Sequence, residues 1–267
     1  MKFIKFLLLF NFALTYNFEF SLSDKFQNIE FNRNNVYSDL YSNAIYEITN
    51  DNFESQDTIW LRTGAGLSFI TFSNSNSPLF NSILNENLPE GGTPAYIIKN
   101  NLIALSGAKS IYQNNRYRPM GTGISWSHDN GSTWNYISQP LDNSESSYTW
   151  ISWGDQDSIK FKSINTQIYN VSYDIEEFNG YIYATSFAGG LRRFNYNNSN
   201  PEWELIPLPQ DNQTSLFCNN IDTENYQYNP VDPPDGNDNH KAFSVFIDEN
   251  IIWVGTGDGI NKGIINE

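Results

Sequence analysis

The 267-residue sequence holds one cysteine, two histidines and only 15 lysines and arginines against 30 aspartates and glutamates. A lone Cys218 cannot close an internal disulfide, and it lies too far along the chain to be the lipidated cysteine of a lipoprotein signal. An inert buried thiol is its expected state. His128 and His240 are far apart with no cysteine nearby, which argues against a zinc site, and no cofactor is implied. The formal net charge of −15 and sequence pI near 4.4 leave no basic surface to follow a phosphate backbone, so nucleic-acid binding is excluded as a function class. The acidity itself reads as a solubility feature.

Also missing is any sustained 3.6-residue apolar period beyond the first residues. What is present instead is aromatic and turn-forming: 7 Trp, 16 Tyr and 19 Phe among abundant Asn, Ser and Gly, a composition suited to short strands joined by turns. The one long apolar run is Phe6 to Leu14, interrupted by Asn11 and preceded by Lys2 and Lys5. Residues 1–15 thus read as a secretory signal peptide, too short to span a bilayer as a mature helix, with cleavage near Thr15. An exported or cell-surface location follows as the expectation. Sequons at Asn130, Asn170, Asn197 and Asn212 matter only in a source that glycosylates exported proteins.

After a lead-in over 16–42, residues 43–267 divide into four units of similar design. In each, an apolar strand ends in a small residue with Thr or Ser, turns, and reopens near a glycine: Thr58 to Phe69, Leu102 to Ser106, Tyr181 to Phe194, and Ile251 to Ile260. The second unit carries a long insertion ahead of its last hairpin. Strands apolar on both faces suit sheets sandwiched between other sheets. Residues 148–161 read as an additional hairpin, and 207–240 as a long connection rich in Pro, Asn and Asp. The fourth unit stops after Gly259 to Gly263, so the array reads as truncated.

The most informative stretch is Ser127-His128-Asp129-Asn130-Gly131-Ser132-Thr133-Trp134, a hairpin turn flanked by Ile124 and Trp126 on one side and Tyr136 on the other. Asp129 can accept hydrogen bonds from turn N–H groups without ladder partners, Gly131 supplies a positive φ, and Trp134 can bury its ring beside the turn. The pattern Ser-x-Asp-x-Gly-x-Thr-Trp resembles the Asp box, or BNR repeat, of sialidases and many other β-propellers. That resemblance implies an all-β propeller of four-stranded blades, in which Ser127, Asp129, Gly131, Thr133 and Trp134 hold a structural turn remote from the catalytic face. Ile252 to Ile260 is similar to the Trp-Val-Gly-Thr-x-Asp-Gly-Leu repeat of propellers in sensor regions of two-component regulators. Thr58 to Leu67 repeats it, with Arg62 where glycine is usual.

A sialidase would need an arginine cluster, and the mature chain has only Arg33, Arg62, Arg116, Arg118, Arg192 and Arg193. Tyr117-Arg118-Pro119 resembles the Arg-Ile-Pro motif of that family but lacks the Ile and sits too close to the 127–134 turn. No two carboxylates are paired by the sequence, as a glycoside hydrolase requires, so no catalytic residue is assigned. Asp232, Asp235 and Asp238 do not follow Ca²⁺-loop spacing and read as a solvated loop, so no metal ligand is assigned. Trp150 and Trp153, taken as one side of an alternating strand, form a candidate sugar-stacking platform, with core packing as the plainer reading. The functional expectation is an exported non-catalytic propeller that binds a glycan or protein through its loops; the alternatives are a secreted glycoside hydrolase and an extracellular sensor. No nucleic-acid partner and no integral membrane segment are expected.

Overall fold

The structure, a computed structural model, describes residues 40 and 42–266 apart from 54–55, 73–77, 84–85, 100, 130, 142–147, 154–156, 163–167, 217–225 and 231–235. The segment read as a signal peptide, most of the lead-in, Cys218, Asp232 and Asp235 lie outside the described residues. Those described belong to one unit spanning 37–267. It is all-β, with eighteen strands in five sheets and one short 3₁₀ turn at Asp238–His240. Among the described residues no helix is long and apolar enough to cross a membrane.

Four sheets are antiparallel meanders in chain order. The first comprises β1 (Ile45–Phe53), β2 (Gln56–Thr63), β3 (Gly66–Phe72) and β4 (Pro78–Ser82); the second β5 (Tyr96–Lys99), β6 (Leu102–Gln113), β7 (Arg116–Ser127) and β8 (Asn135–Ile137). The third comprises β11 (Ser172–Phe178), β12 (Tyr181–Ser186), β13 (Gly190–Asn195) and β14 (Glu204–Ile206); the fourth β16 (Ala242–Asp248), β17 (Ile251–Thr256) and β18 (Gly259–Ile264). The insertion expected in the second unit takes the form of a ribbon: β6 and β7 run on, pairing as far as Gln113 and Arg116 around Asn114 and Asn115, both at positive φ. Short amide side chains tolerate that left-handed geometry, so the ribbon can turn in two residues.

The fifth sheet joins the two expected additions to the repeat. β9 (Tyr148–Trp153) and β10 (Asp157–Lys162) form the hairpin read from the sequence, and β15 (Gln227–Tyr228), inside the 207–240 connection, pairs with β10 in parallel. Hairpin periodicity marks the first pair. Nothing local marks the second, because a two-residue strand has no period to detect.

Three apolar clusters lie between successive meanders. Trp60 and Leu67 of the first sheet meet Ile103 and Leu105 of the second, with Trp134 beside them. Leu102, Ala104, Ile124 and Trp126 on the other face of the second meet Ile175, Ile182, Ala184 and Phe194 of the third. Tyr183 and Leu191 on the third's other face meet Val245, Ile252 and Val254 of the fourth. The second and third sheets are therefore apolar on both faces, which accounts for the runs of consecutive buried residues in β6 and β12. At about 25 cal/mol per Å² of buried apolar surface, this stacking is the main stabilising term of the fold.

Candidate functional site

Each meander has two edges of different chemistry. At one, here the hairpin edge, lie the two-residue turns at 179–180 and 249–250 between first and second strands and the 127–134 turn between β7 and β8. At the other, the connection edge, lie the turns between second and third strands and the connections from one sheet to the next.

The 127–134 turn closes on itself. Ser127 Oγ donates to Asp129 Oδ1 at 2.8 Å and accepts from the Gly131 N–H at 2.8 Å. The Thr133 N–H and hydroxyl donate to the two Asp129 carboxylate oxygens at 2.7 and 2.6 Å. Gly131 has φ +85°, and Trp134 Nε1 donates to its carbonyl at 2.9 Å while the ring is buried between the first two sheets. Hydrogen bonds from Thr133, then Ser127, hold the Asp129 carboxyl down to about 2. His128 beside it is exposed, 5.1 Å from the Tyr196 ring. These bonds run from one residue of the turn to another, which makes it a structural clasp.

The connection edge differs. The first strands of three meanders carry a bulge near their start: register shifts between Ile45 and Glu47, Ser172 and Asp174, and Ala242 and Ser244. The extra residue is aromatic each time, Tyr46, Tyr173 and Phe243, and each is exposed, at 66%, 37% and 40%. A bulge re-aims the residue it inserts, so these rings escape the packed faces. Phe243 lies 5.8 Å from Tyr173 and 6.2 Å from Phe187, which lies 6.0 Å from Tyr169. Two cations rest on this chain of rings: Arg118 over Tyr169 and Lys241 over Phe187, each at 5.4 Å. Burial raises the Tyr173 hydroxyl pKa, keeping it neutral.

Tyr169 holds the edge together. Its φ is +63°, uncommon for a bulky side chain. Its N–H donates to Pro119 O at 2.8 Å and its carbonyl accepts from Ala188 N–H at 2.9 Å, tying the β6–β7 ribbon to the β12–β13 turn. Next to it, buried Asn170 borders a cleft of about 440 Å³ lined by Leu88, Met120, Gly121, Tyr136, Gln139 and others. A second cleft, about 680 Å³, is bordered by Tyr46, Arg62, Thr93 and Pro94; Lys109, ion-paired with Glu90, borders both. The Asn170 side chain is 3% exposed, so of the four sequons this one is closed to modification in the folded chain.

The 207–240 connection is pinned by His240, which is fully buried. Its Nδ1 accepts from the Asn229 N–H at 3.0 Å, leaving Nε2–H to donate to Leu208 O at 3.0 Å, and Tyr228 stacks on the ring at 4.6 Å. Burial lowers its pKa to about 4, against the opposing effects of the Leu208 carbonyl and Asp211. Gly190, at φ +66°, lies where a Cβ would overlap the Tyr228 hydroxyl.

Two carboxyl groups of β11, Asp174 and Glu176, have pKa values raised chiefly by burial. Asp174 accepts from the Val245 N–H at 2.9 Å and the Ile175 N–H at 3.0 Å, bridging the third and fourth sheets, and neither carboxyl lines either of the two clefts above. Arg192 is buried, donating from Nε to Gly189 O at 3.0 Å, while Arg193 stacks on Tyr181 and pairs with Glu204. Asp238 sits in the 3₁₀ turn, paired with Lys241. No cluster of three metal-ligating side chains occurs among the described residues.

Trp150 and Trp153 stand on β9, opposite Lys160 and Asp157 of β10. The bulge aromatics carry a signal that is visible only in retrospect. Ile45-Tyr46-Glu47, Ser172-Tyr173-Asp174 and Ala242-Phe243-Ser244 recur at one place in the repeat, but an inserted residue breaks the alternation by which strands are read.

No family model matches the sequence, and no curated protein matches it. Among solved structures, the computationally designed Ika8 protein aligns with a TM-score of 0.32 at 7% identity over 82% of this chain and 58% of that one. This chain thus spans less than two thirds of the designed chain's length, and a superposition this loose carries no functional argument.

Proposed function

We propose that this chain is an exported, non-catalytic β-propeller of the Asp-box kind that binds neutral glycans at its connection edge. The chain-order stacking of meanders supports the propeller reading, as does the reach of the Glu47 and Arg62 charges in the first sheet to Asp174 on the first strand of the third. Sheets stacked in a straight pile would hold those groups apart. First strands converging on a common axis bring them near.

The observation that carries the function is the aromatic bulge repeated in three sheets, exposed at the edge where the connections meet. Ring faces of Tyr and Phe stack on the C–H faces of sugars, and rigid strands hold them at low entropic cost. A net charge of −15 disfavours anionic polysaccharides, leaving neutral ones. Replacing Tyr173 and Phe243 by alanine should each weaken binding to a neutral glycan array by about 2–10-fold, at about 0.5–1.5 kcal/mol per ring contact. Unchanged binding in the double variant overturns this reading.

A hydrolase is the second reading, and Asp174 with Glu176 is what favours it: two carboxyls with raised pKa values stand on one face of a strand, their Cα atoms roughly 6.6 Å apart. Their occupation by backbone N–H groups and their distance from both clefts weigh against it. Polysaccharide hydrolysis abolished by Glu176→Gln would establish this second reading.

A further inference from the structure

We infer that the β6–β7 ribbon is a docking arm whose free β6 edge takes up an extended, acidic peptide segment of a partner protein as an added strand. This goes beyond the glycan reading and stands without it. Past Ala108, which pairs with Gly92, β6 carries on to Gln113 and β7 returns from Arg116, with no third strand beside them among the described residues. Two strands alone are only marginally stable, and an open strand edge invites another chain, so proteins ordinarily block it.

This ribbon blocks one edge and leaves the other open. On β7, Pro119 has no N–H, its carbonyl accepts from the Tyr169 N–H, and the Gly121 N–H donates to Asn170 Oδ1. On β6 the outward groups follow from parity. The Ser106 N–H donates to the Ala95 carbonyl, and Ala108 exchanges two bonds with Gly92, at 2.8 and 2.9 Å. The extra residue of the bulge near Gly107 falls on β7, at Thr122, so β6 keeps its alternation. Ser110 and Tyr112 therefore come next on the outward edge, and both are exposed. Their N–H and C=O groups give two donors and two acceptors repeating every roughly 6.6 Å, the spacing of alternate residues in any extended chain. Another strand matches that edge along its length.

Side chains add the partner's chemistry. Tyr112 and Tyr117 face each other across the ribbon, ring centroids 5.2 Å apart, and are 65% and 75% exposed. They share a face with Ser110 and form an apolar lip beside the open edge. Between Glu90 and Asp129 the sequence has no carboxylate, against 30 in the whole chain, while Lys99, Lys109, Arg116 and Arg118 fall there. Lys109 pairs with Glu90, but among the described residues neither Arg116 nor Arg118 meets a carboxylate; Arg118 donates to the Tyr169 hydroxyl. Both arginines alternate with Tyr117 and so stand on the face opposite the rings. Pairing the arm with its own copy would set like charges together. A strand with small apolar residues alternating with acidic ones meets the tyrosines on one face and the cations on the other.

The probe is the blocked hexapeptide acetyl-Val-Glu-Thr-Glu-Val-Glu-amide, compared with the same peptide carrying lysine in place of each glutamate, by titration calorimetry on the full chain. The acidic peptide is expected to bind at least tenfold more tightly and to slow amide hydrogen exchange over residues 109–113. Ser110→Pro does on β6 what Pro119, directly opposite, does on β7: it removes an outward N–H and no bond within the ribbon. It should weaken the acidic peptide at least tenfold with the melting temperature unchanged. Should this variant fail to fold, Arg116→Glu at the exposed tip serves instead and should narrow the preference between the peptides several-fold. Equal binding of the two peptides, or a folded Ser110→Pro chain that binds as the wild type does, overturns the proposal. So does binding of alginate, an anionic polysaccharide, where neither peptide binds. A dimer in sedimentation that Ser110→Pro dissolves, with neither peptide bound, overturns it as well and gives the edge to a second copy of the chain.

Discussion

The hairpin edge and the connection edge of the same sheets solve opposite problems. At the 127–134 turn, Asp129, Ser127 and Thr133 bond to one another within eight residues, and Trp134 fills the space between two sheets. At the connection edge stand bulged aromatics outside the packed faces and a tyrosine at positive φ. A hydrogen-bonded network closed within one turn rigidifies its surroundings. Under the glycan-binding proposal, the first edge serves folding and the second presents its rings and its strained backbone to the ligand.

Trp134→Ala should be the most disruptive way to test this division. Removing a buried indole typically costs about 3–5 kcal/mol, and here it also frees the Gly131 carbonyl. Chemical denaturation should show a loss of that size, while glycan affinity per folded molecule stays unchanged. A large affinity loss in folded protein would mean the two edges are coupled.

Acidification should reach the connection edge next. His240 is neutral when folded, with its pKa lowered from 6.5 to about 4, so the unfolded chain binds the extra proton first. Its contribution is fully present above pH 6.5 and is lost as pH falls toward 4, by roughly 3 kcal/mol at most for a gap of this width. Melting followed from pH 7 to pH 4 should show this decline. His240→Gln should flatten it, though from a lower starting stability; a wild-type profile level across that window would contradict a buried neutral imidazole.

Third in size, Tyr173→Ala with Phe243→Ala should shift the melting temperature little, because both rings are partly exposed, while lowering glycan affinity. Trp134→Ala and this double variant form a crossed pair. Each is expected to move the quantity the other leaves alone, and a result in which both move stability only would remove the functional meaning of the bulges.

How much of this was legible in the sequence follows from the same contrast. The turn could be read from eight consecutive residues because its chemistry is local: an acceptor, a glycine and a ring in fixed order. The meanders were legible through runs such as Leu102 to Ser106 and Tyr181 to Thr185, whose two-sided hydrophobicity matches their burial between sheets. The connection edge was not. Gln139 and Asn170 are 31 positions apart and meet through a hydrogen bond, the Tyr46, Tyr173 and Phe243 bulges break strand periodicity, and β15 joins β10 across the whole third sheet. Trp150 and Trp153 drew attention by residue type alone.

The smallest expected effect lies at the turn itself and concerns acid. Asp129 is held to about 2 by the Thr133 hydroxyl, then the Thr133 N–H and Ser127, against 3.8 in the unfolded chain. A depressed carboxylate pKa contributes stability that is present above 3.8 and fades as pH falls toward 2. The side chain is solvent-exposed, so water competes for the same oxygens and the effect on global stability is small. Asp129→Asn keeps an acceptor for the Thr133 N–H but has no charge to lose, so its melting temperature should vary less between pH 4 and pH 2.5 than that of the wild type, with glycan binding at pH 7 unaltered. If both proteins lose stability in parallel over that window, the clasp is held by shape and the buried Trp134 ring, and the carboxylate charge is incidental to it.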